Sequence, residues 1–267
     1  MKRIFLAVLA AATFFTVSAQ YKAPLIVANG GYHKSPSSGA LNSMSALKAA
    51  QKLKVYASEC DANLTKDGEV LAVQSGWHPN RKASPKADVQ RSTMEKMLNV
   101  PFANGEYIST LEELLKRAKK KNTRIFIDIK SQATPQRETE LVENVIAIVE
   151  QTGMQDNVEY CAAHPWVCFE VAKKAPQGSA IAYVGSNYEP EYVKGMGATS
   201  IDYSFRVLKK RKNWIKQAHK LGMTVNTWIV NREDDIRWCI QNGVDIITTD
   251  EPVLAKKIIK EMCGKQK

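Results

Sequence analysis

The sequence predicts an α/β fold, a TIM-type (β/α)8 barrel with a small β-hairpin and loop insertion after its second strand. Three observations carry this expectation. Short β-branched runs alternate with helical stretches along the chain, the pattern of βα units feeding a parallel sheet. The 267 residues, 44% of them hydrophobic, suffice for one large core of the size that eight such units need. Gly and Pro are modest, at 14 and 10 residues, and no low-complexity tract breaks the chain, so one ordered domain is expected.

The elements follow in order. Lys2 and Arg3, the apolar run 4–17 and the small residues Val17, Ser18 and Ala19 read as a secretory signal peptide, residues 1–19, cut near Ala19. This leaves residues 20–267 as the barrel and predicts a secreted or periplasmic protein. The apolar run is shorter than the roughly 20 residues that span a bilayer, so no stable membrane anchor is expected. Strands are predicted at 25–29, 56–63, 70–74, 124–130, 158–162, 180–184, 199–203, 224–229 and 245–249. Nine runs exceed the eight a barrel requires. Thr65, Lys66, Asp67 and Gly68 form a turn, so the run at 70–74 folds back on its predecessor as a hairpin arm. Thr110 and Glu113 form a capping box for a helix over 111–119, and the run 138–149 has helical apolar spacing. Gly153, Gly222 and Gly243 fall just past helices, where a left-handed cap is wanted. Residues 75–109 read as a long irregular segment, either a substrate-covering insertion or a surface loop.

The formal charge is +11, and loss of Lys2 and Arg3 with the signal peptide leaves two fewer cations, +9. A basic surface favours anionic partners such as phosphate esters. The cations are spread over many helices without a recognition motif, so no nucleic-acid partner is expected. The five cysteines show no metal-type spacing. Cys161 and Cys168 could pair in an oxidising compartment; burial in a strand or helix is the other reading.

In such a barrel the chemistry gathers at the carboxyl ends of the strands. Strand alternation turns Glu59 and Asp61 inward together and Cys60 outward. It likewise turns Asp128 and Lys130 inward on a second strand. Three carboxylates meeting at one mouth repel unless a cation lies between them, and oxygen-only ligands suit Ca²⁺ or Mg²⁺. The alternative for each acid alone is solvation or a salt bridge. Lys130 beside them could hold a phosphoryl oxygen. Trp228 ends an inward-facing strand and could stack on a glycerol or sugar face, or simply fill the core.

The segment Glu59-Cys60-Asp61-Ala62-Asn63-Leu64-Thr65-Lys66-Asp67-Gly68 resembles the acid-x-acid strand and Thr-Lys-Asp-Gly turn of the glycerophosphodiester phosphodiesterase family. Phe126-Ile127-Asp128-Ile129-Lys130 is similar to its Glu-x-Lys strand, and Asn226-Thr227-Trp228-Ile229-Val230-Asn231 to its Trp-Thr-Val-Asn strand. The run 242–252 resembles its closing Gly-Val-Asp-Gly-Ile-x-Thr-Asp-x-Pro. The resemblance implies metal-dependent hydrolysis of glycerophosphodiesters to an alcohol and glycerol 3-phosphate, with Glu59, Asp61 and Asp128 on a divalent cation and Lys130 on the phosphate.

It also exposes departures. The family's two general acid/base histidines stand in a His-Arg-Gly motif and a His-Asp pair; the matching positions here read Asn29-Gly30-Gly31 and Gln74-Ser75. Its Glu-Asn-Thr motif becomes Leu41-Asn42-Ser43. Asn29 and Gln74 can hydrogen-bond a phosphoryl oxygen but cannot exchange protons near neutral pH. His33 and His78 each follow a lost histidine by four residues, as recruited replacements or as ordinary loop histidines. His164, just past a strand, lines the mouth or packs against Trp166, and His219 lies late in a helix, favoured by its dipole. Two functions remain open: a secreted phosphodiesterase, or an inactive barrel that binds a cation and a phosphate ester such as a glycerophosphodiester.

Overall fold

The computed structural model describes residues 21–74, 88–102 and 104–264. Eight parallel strands close on themselves: β1 (Leu25–Ala28), β2 (Ala57–Leu64), β5 (Arg124–Ile129), β6 (Val158–Ala162), β7 (Ala180–Gly185), β8 (Ser200–Ser204), β9 (Thr224–Trp228) and β10 (Ile246–Thr249). Pairing of Val27 with Ala57 and of Leu25 with Ile246 closes the ring. β3 (Val70–Ala72) pairs antiparallel with the far half of β2, and β4 (Ser109–Thr110) pairs antiparallel with β3. All nine expected runs are strands. The tenth, two residues long, is too short to leave a pattern.

Each barrel strand leads to a helix packed outside: α1 (Met44–Leu53), α3 (Leu111–Lys119), α4 (Pro135–Thr152), α5 (Pro165–Lys174), α6 (Pro190–Gly195), α8 (Asn213–Lys220), α9 (Glu233–Gln241) and α10 (Pro252–Cys263). Side chains alternate across the strands. Ile26, Ile125, Ile127, Ile181 and Tyr183 join the main core between sheet and helices, whereas Val27, Ala57, Phe126, Cys161, Ala182 and Ile246 form a smaller core inside the ring. That inner plug is the floor of the site above it.

The described part of the segment expected to be irregular is more ordered than its composition suggests. It holds a turn of 3-10 helix (Val89–Arg91) and a helix, α2 (Met94–Leu98), started by the Thr93 side chain. Val89, Met97, Phe102 and Ile108 bury themselves against Leu71 and Val73 of the hairpin, a satellite core too scattered in sequence to show periodicity. A short helix α7 (Phe205–Lys210) likewise follows β8 before α8.

A pairing of Cys161 with Cys168 is ruled out by the alternation of the strand: Cys161 points inside the ring and Cys168 sits on α5 outside it. All five cysteines are buried free thiols. Among the described residues no helix is long and apolar enough to cross a membrane. The expected signal peptide, residues 1–19, and His78 lie outside the described residues.

Candidate functional site

Above the inner plug, at the carboxyl ends of the strands, lies a cavity of about 490 Å³. Its wall includes Asn29, Glu59, Asp61, Asp128, Lys130 and Trp228, six of the residues singled out from sequence. One carboxylate oxygen from each of Glu59, Asp61 and Asp128 lies within 4.8 Å of the others. β2 and β5 run parallel in a register that sets Asp61 beside Asp128, so two strands suffice to bring the acids together.

Lys130 ion-pairs with both Asp61 and Asp128. Burial opposes the charge on its ammonium, but Asp61, Asp128 and Glu59 together outweigh it and hold the group above its ordinary value. Glu59 moves in the same sense. Burial and then the Asp61 charge push its carboxyl well up, while Lys130 and the backbone N–H of Gly30, which donates to its Oε2 at 2.6 Å, pull it back. One ammonium therefore does not balance three carboxylates. The donor set, oxygen only and in excess of positive charge, fits a hard divalent cation.

Asn42, noted from sequence only as part of an altered motif, braces this cluster. It is buried, adopts a left-handed backbone at φ 64°, donates Nδ2 to Asp61 Oδ2 at 2.6 Å and accepts Asp61 N–H at 3.0 Å through its Oδ1. A motif that starts a helix offered no signal that its side chain would reach back to β2. One further group on the wall, Asp202, escaped sequence reasoning. Asp202 on β8 is buried above its ordinary pKa, mainly by burial and then by Glu159 and Asp128, while the nearby Asn226 amide draws it down. Asp202 Oδ1 and Asn226 Nδ2 are buried and have no hydrogen-bond partner of good geometry among the described residues.

The positions matching the missing histidines are occupied differently. Asn29 follows β1 directly and donates Nδ2 to Asp250 Oδ1 at 2.8 Å; Asp250 in turn accepts from Asn231 at 2.8 Å. Gln74 follows β3 half-buried; its neighbour Val73 donates N–H to the Asp61 carbonyl at 2.8 Å. His33 lies behind Asn29, with Nδ1 3.1 Å from the Asn29 carbonyl oxygen and Nε2 3.8 Å from Asp250 Oδ1. Gly31 stays glycine for a steric reason: its backbone is left-handed, and a Cβ would lie 2.6 Å from the Ala46 carbonyl carbon. Trp228 is fixed by an indole N–H bond of 3.0 Å to the Asp202 carbonyl, and its peptide bond to Ile229 is cis.

His164 and His219 are not part of the wall. His164 Nδ1 lies 3.0 Å from the buried Glu138 carboxylate at the start of α5. His219 Nε2 lies 2.7 Å from Asp245, which precedes β10 and so marks the opposite end of the barrel.

The sequence profile of the glycerophosphoryl diester phosphodiesterase family matches residues 29–254. A glycerophosphodiester phosphodiesterase of Caldanaerobacter subterraneus is 25% identical over 230 residues, 82% of this chain and 92% of that one. A glycerophosphodiester phosphodiesterase structure from Parabacteroides distasonis is 31% identical, with a TM-score of 0.84 over 90% of this chain and 98% of the other. A phosphodiesterase of Oleispira antarctica, solved with its product sn-glycerol-3-phosphate, shares the fold at a TM-score of 0.78 and 14% identity, over 89% of this chain and 97% of that one. With 226 consecutive positions matched and the carboxylate cluster at the expected barrel mouth, this chain belongs to the glycerophosphoryl diester phosphodiesterase family.

Proposed function

We propose that the barrel mouth binds a divalent cation, Ca²⁺ or Mg²⁺, at Glu59, Asp61 and Asp128, and the phosphate of a glycerophosphodiester beside Lys130, without the family's ordinary proton transfer. One observation carries this reading: position 29 presents an amide whose Nδ2 is already donated to Asp250. The amide nitrogen keeps a second N–H that can be donated to a phosphoryl oxygen, but the group cannot give up or take a proton near neutral pH. Loss of one acid/base group typically costs about 10²–10⁴-fold in rate. Gln74 repeats the loss on the hairpin arm.

The chain's own residues divide the work. Lys130 supplies the charge that meets a phosphate oxygen; Asn42 fixes Asp61; Trp228, held to Asp202, offers a flat wall for the glycerol. The cation, when bound, neutralises the carboxylates and polarises a phosphoryl oxygen.

The second reading, residual hydrolysis, is favoured by His33, which lies against Asn29 and near Asp250; His78, outside the described residues, is the partner that the sequence offers. Titration calorimetry with glycerol 3-phosphate under saturating Mg²⁺ or Ca²⁺, and assay of glycerol 3-phosphate release from glycerophosphocholine, separate the two. Binding without release, weakened at least tenfold by Lys130→Gln, is expected. Absence of binding by calorimetry, with no cation-dependent rise in melting temperature, would sink the reading. Release that disappears in a His33→Ala, His78→Ala double variant would install the second one in its place.

A further inference from the structure

Trp228 and Ile229 wall the cavity on one side and, on the other, an adjoining cleft of about 800 Å³. Arg206, Lys209, Lys210 and Arg232 line that cleft against a single carboxylate, Asp235. The cations come from two separate connections at the carboxyl ends of strands: α7, which follows β8, and the turn that leads from β9 into α9. Some surface cations meet acids, as Lys34 meets Glu251 at 2.6 Å, Lys116 meets Glu112 at 2.8 Å and Arg237 meets Glu233 at 2.7 Å. Arg206, Lys210 and Arg232 make no ion pair among the described residues, and Lys209 lies over the Phe205 ring, 5.4 Å from its centre. A recess of one sign that shares a wall with a phosphate site concentrates anions there, and guanidinium groups match the geometry of phosphate oxygens.

We infer that this cleft is a second anion subsite, and that the ligand is a glycerophosphodiester whose alcohol carries a phosphate of its own. Resting on the reading of the main cavity given above, the first phosphate lies beside Lys130 and the chain of the ligand crosses Trp228 and Ile229. The second phosphate reaches Arg206, Lys210 and Arg232. An anionic membrane surface is the less favoured occupant, because none of the exposed large apolar side chains among the described residues lines the cleft.

The test is titration calorimetry of the full chain in saturating Mg²⁺ with three soluble probes: glycerol 3-phosphate, glycerophosphocholine and glycerophosphoglycerol phosphate. The doubly phosphorylated probe is expected to bind at least about tenfold tighter than glycerophosphocholine, and an Arg206→Gln, Lys210→Gln, Arg232→Gln variant to lose that advantage. The same variant should bind glycerol 3-phosphate within about twofold of the unaltered protein and melt at the same temperature, since its three side chains are exposed. Equal affinity for the two diesters, or an advantage that survives the triple variant, overturns the subsite. If glycerol 3-phosphate binds while the second phosphate adds nothing, the subsite alone falls; if no probe binds, the reading of the main cavity falls with it. Sedimentation with phosphatidylglycerol vesicles that the triple variant abolishes, with soluble-probe affinities unchanged, would assign the cleft to a membrane and overturn the proposal.

Discussion

Gly30 and Leu41 show why the departures from the family pattern come as a set. By the resemblance, an arginine and a glutamate belong at these two positions. Here Gly30 adopts φ 56°, and a Cβ on it would lie 2.3 Å from Leu41 Cδ2 and 3.0 Å from Leu41 Cβ. The leucine therefore occupies the space into which a side chain at position 30 would start, and its own Cβ is too near to swing aside. Returning arginine alone combines overpacking, about 1–3 kcal/mol, with non-glycine left-handed backbone, on the order of 1 kcal/mol. Gly30→Arg is expected to lower stability in urea by about 2–4 kcal/mol, and adding Leu41→Glu to recover part of that loss, because residues in contact do not act additively. Strict additivity of the two substitutions would show that they changed independently. The sequence displayed each substitution, but not that one side chain fills the place left by the other; this contact joins two segments separated by a turn with left-handed glycines.

Strand elements were the most legible, and for a simple reason. The period of two assigns a face to each residue, so the inward turn of Glu59, Asp61, Asp128 and Lys130 follows from β2 and β5 once they are strands. What alternation does not report is which neighbouring strand meets them, and so Asp202 on β8 and the bracing Asn42 stayed hidden. β6 makes a testable case of an inward acid without a functional motif. Glu159 is buried inside the ring and accepts a hydrogen bond from Ser200 Oγ at 2.9 Å. Burial is the main influence and lifts its pKa from 4.5 to about 6, against the pull of Ser200 and Arg124. The native state thus holds its proton more tightly than the unfolded chain, so stability falls as pH rises through the window from 4.5 to 6 and stays lowered above it. A shift of this size corresponds to about 2 kcal/mol. Glu159→Gln keeps an acceptor for Ser200 and removes the charge. It should be about 1–2 kcal/mol more stable than the unaltered protein at pH 7.5 and no more stable at pH 4, measured by urea unfolding at both. A gain of equal size at both values would show that the charge is not the cause.

At the scale of the whole molecule the closed ring decides how the protein opens. Hydrogen-bonded pairing between β1 and β10 leaves the eight barrel strands without an edge from which to fray, so inner and outer cores should be exposed together. The cysteines sample both: Cys161 lies inside the ring, while Cys60, Cys168 and Cys239 lie between sheet and helices. Burial, the leading cause at each, pushes the Cys168 thiol to about 12 and those of Cys60, Cys161 and Cys239 upward as well, so reactive thiolate is scarce in the folded state. Cys263, near the end of α10, is 8% exposed and shifted upward by burial too. A disulfide exchange reagent should therefore titrate at most one thiol, Cys263, in the native protein and all five in denaturant. In intermediate urea, the four inner thiols should react at one common rate, set by opening of the barrel as a unit. Earlier reaction of Cys239 than of Cys60, Cys161 and Cys168 would instead show that α9 leaves the ring before the strands part, and would replace a single opening step by two.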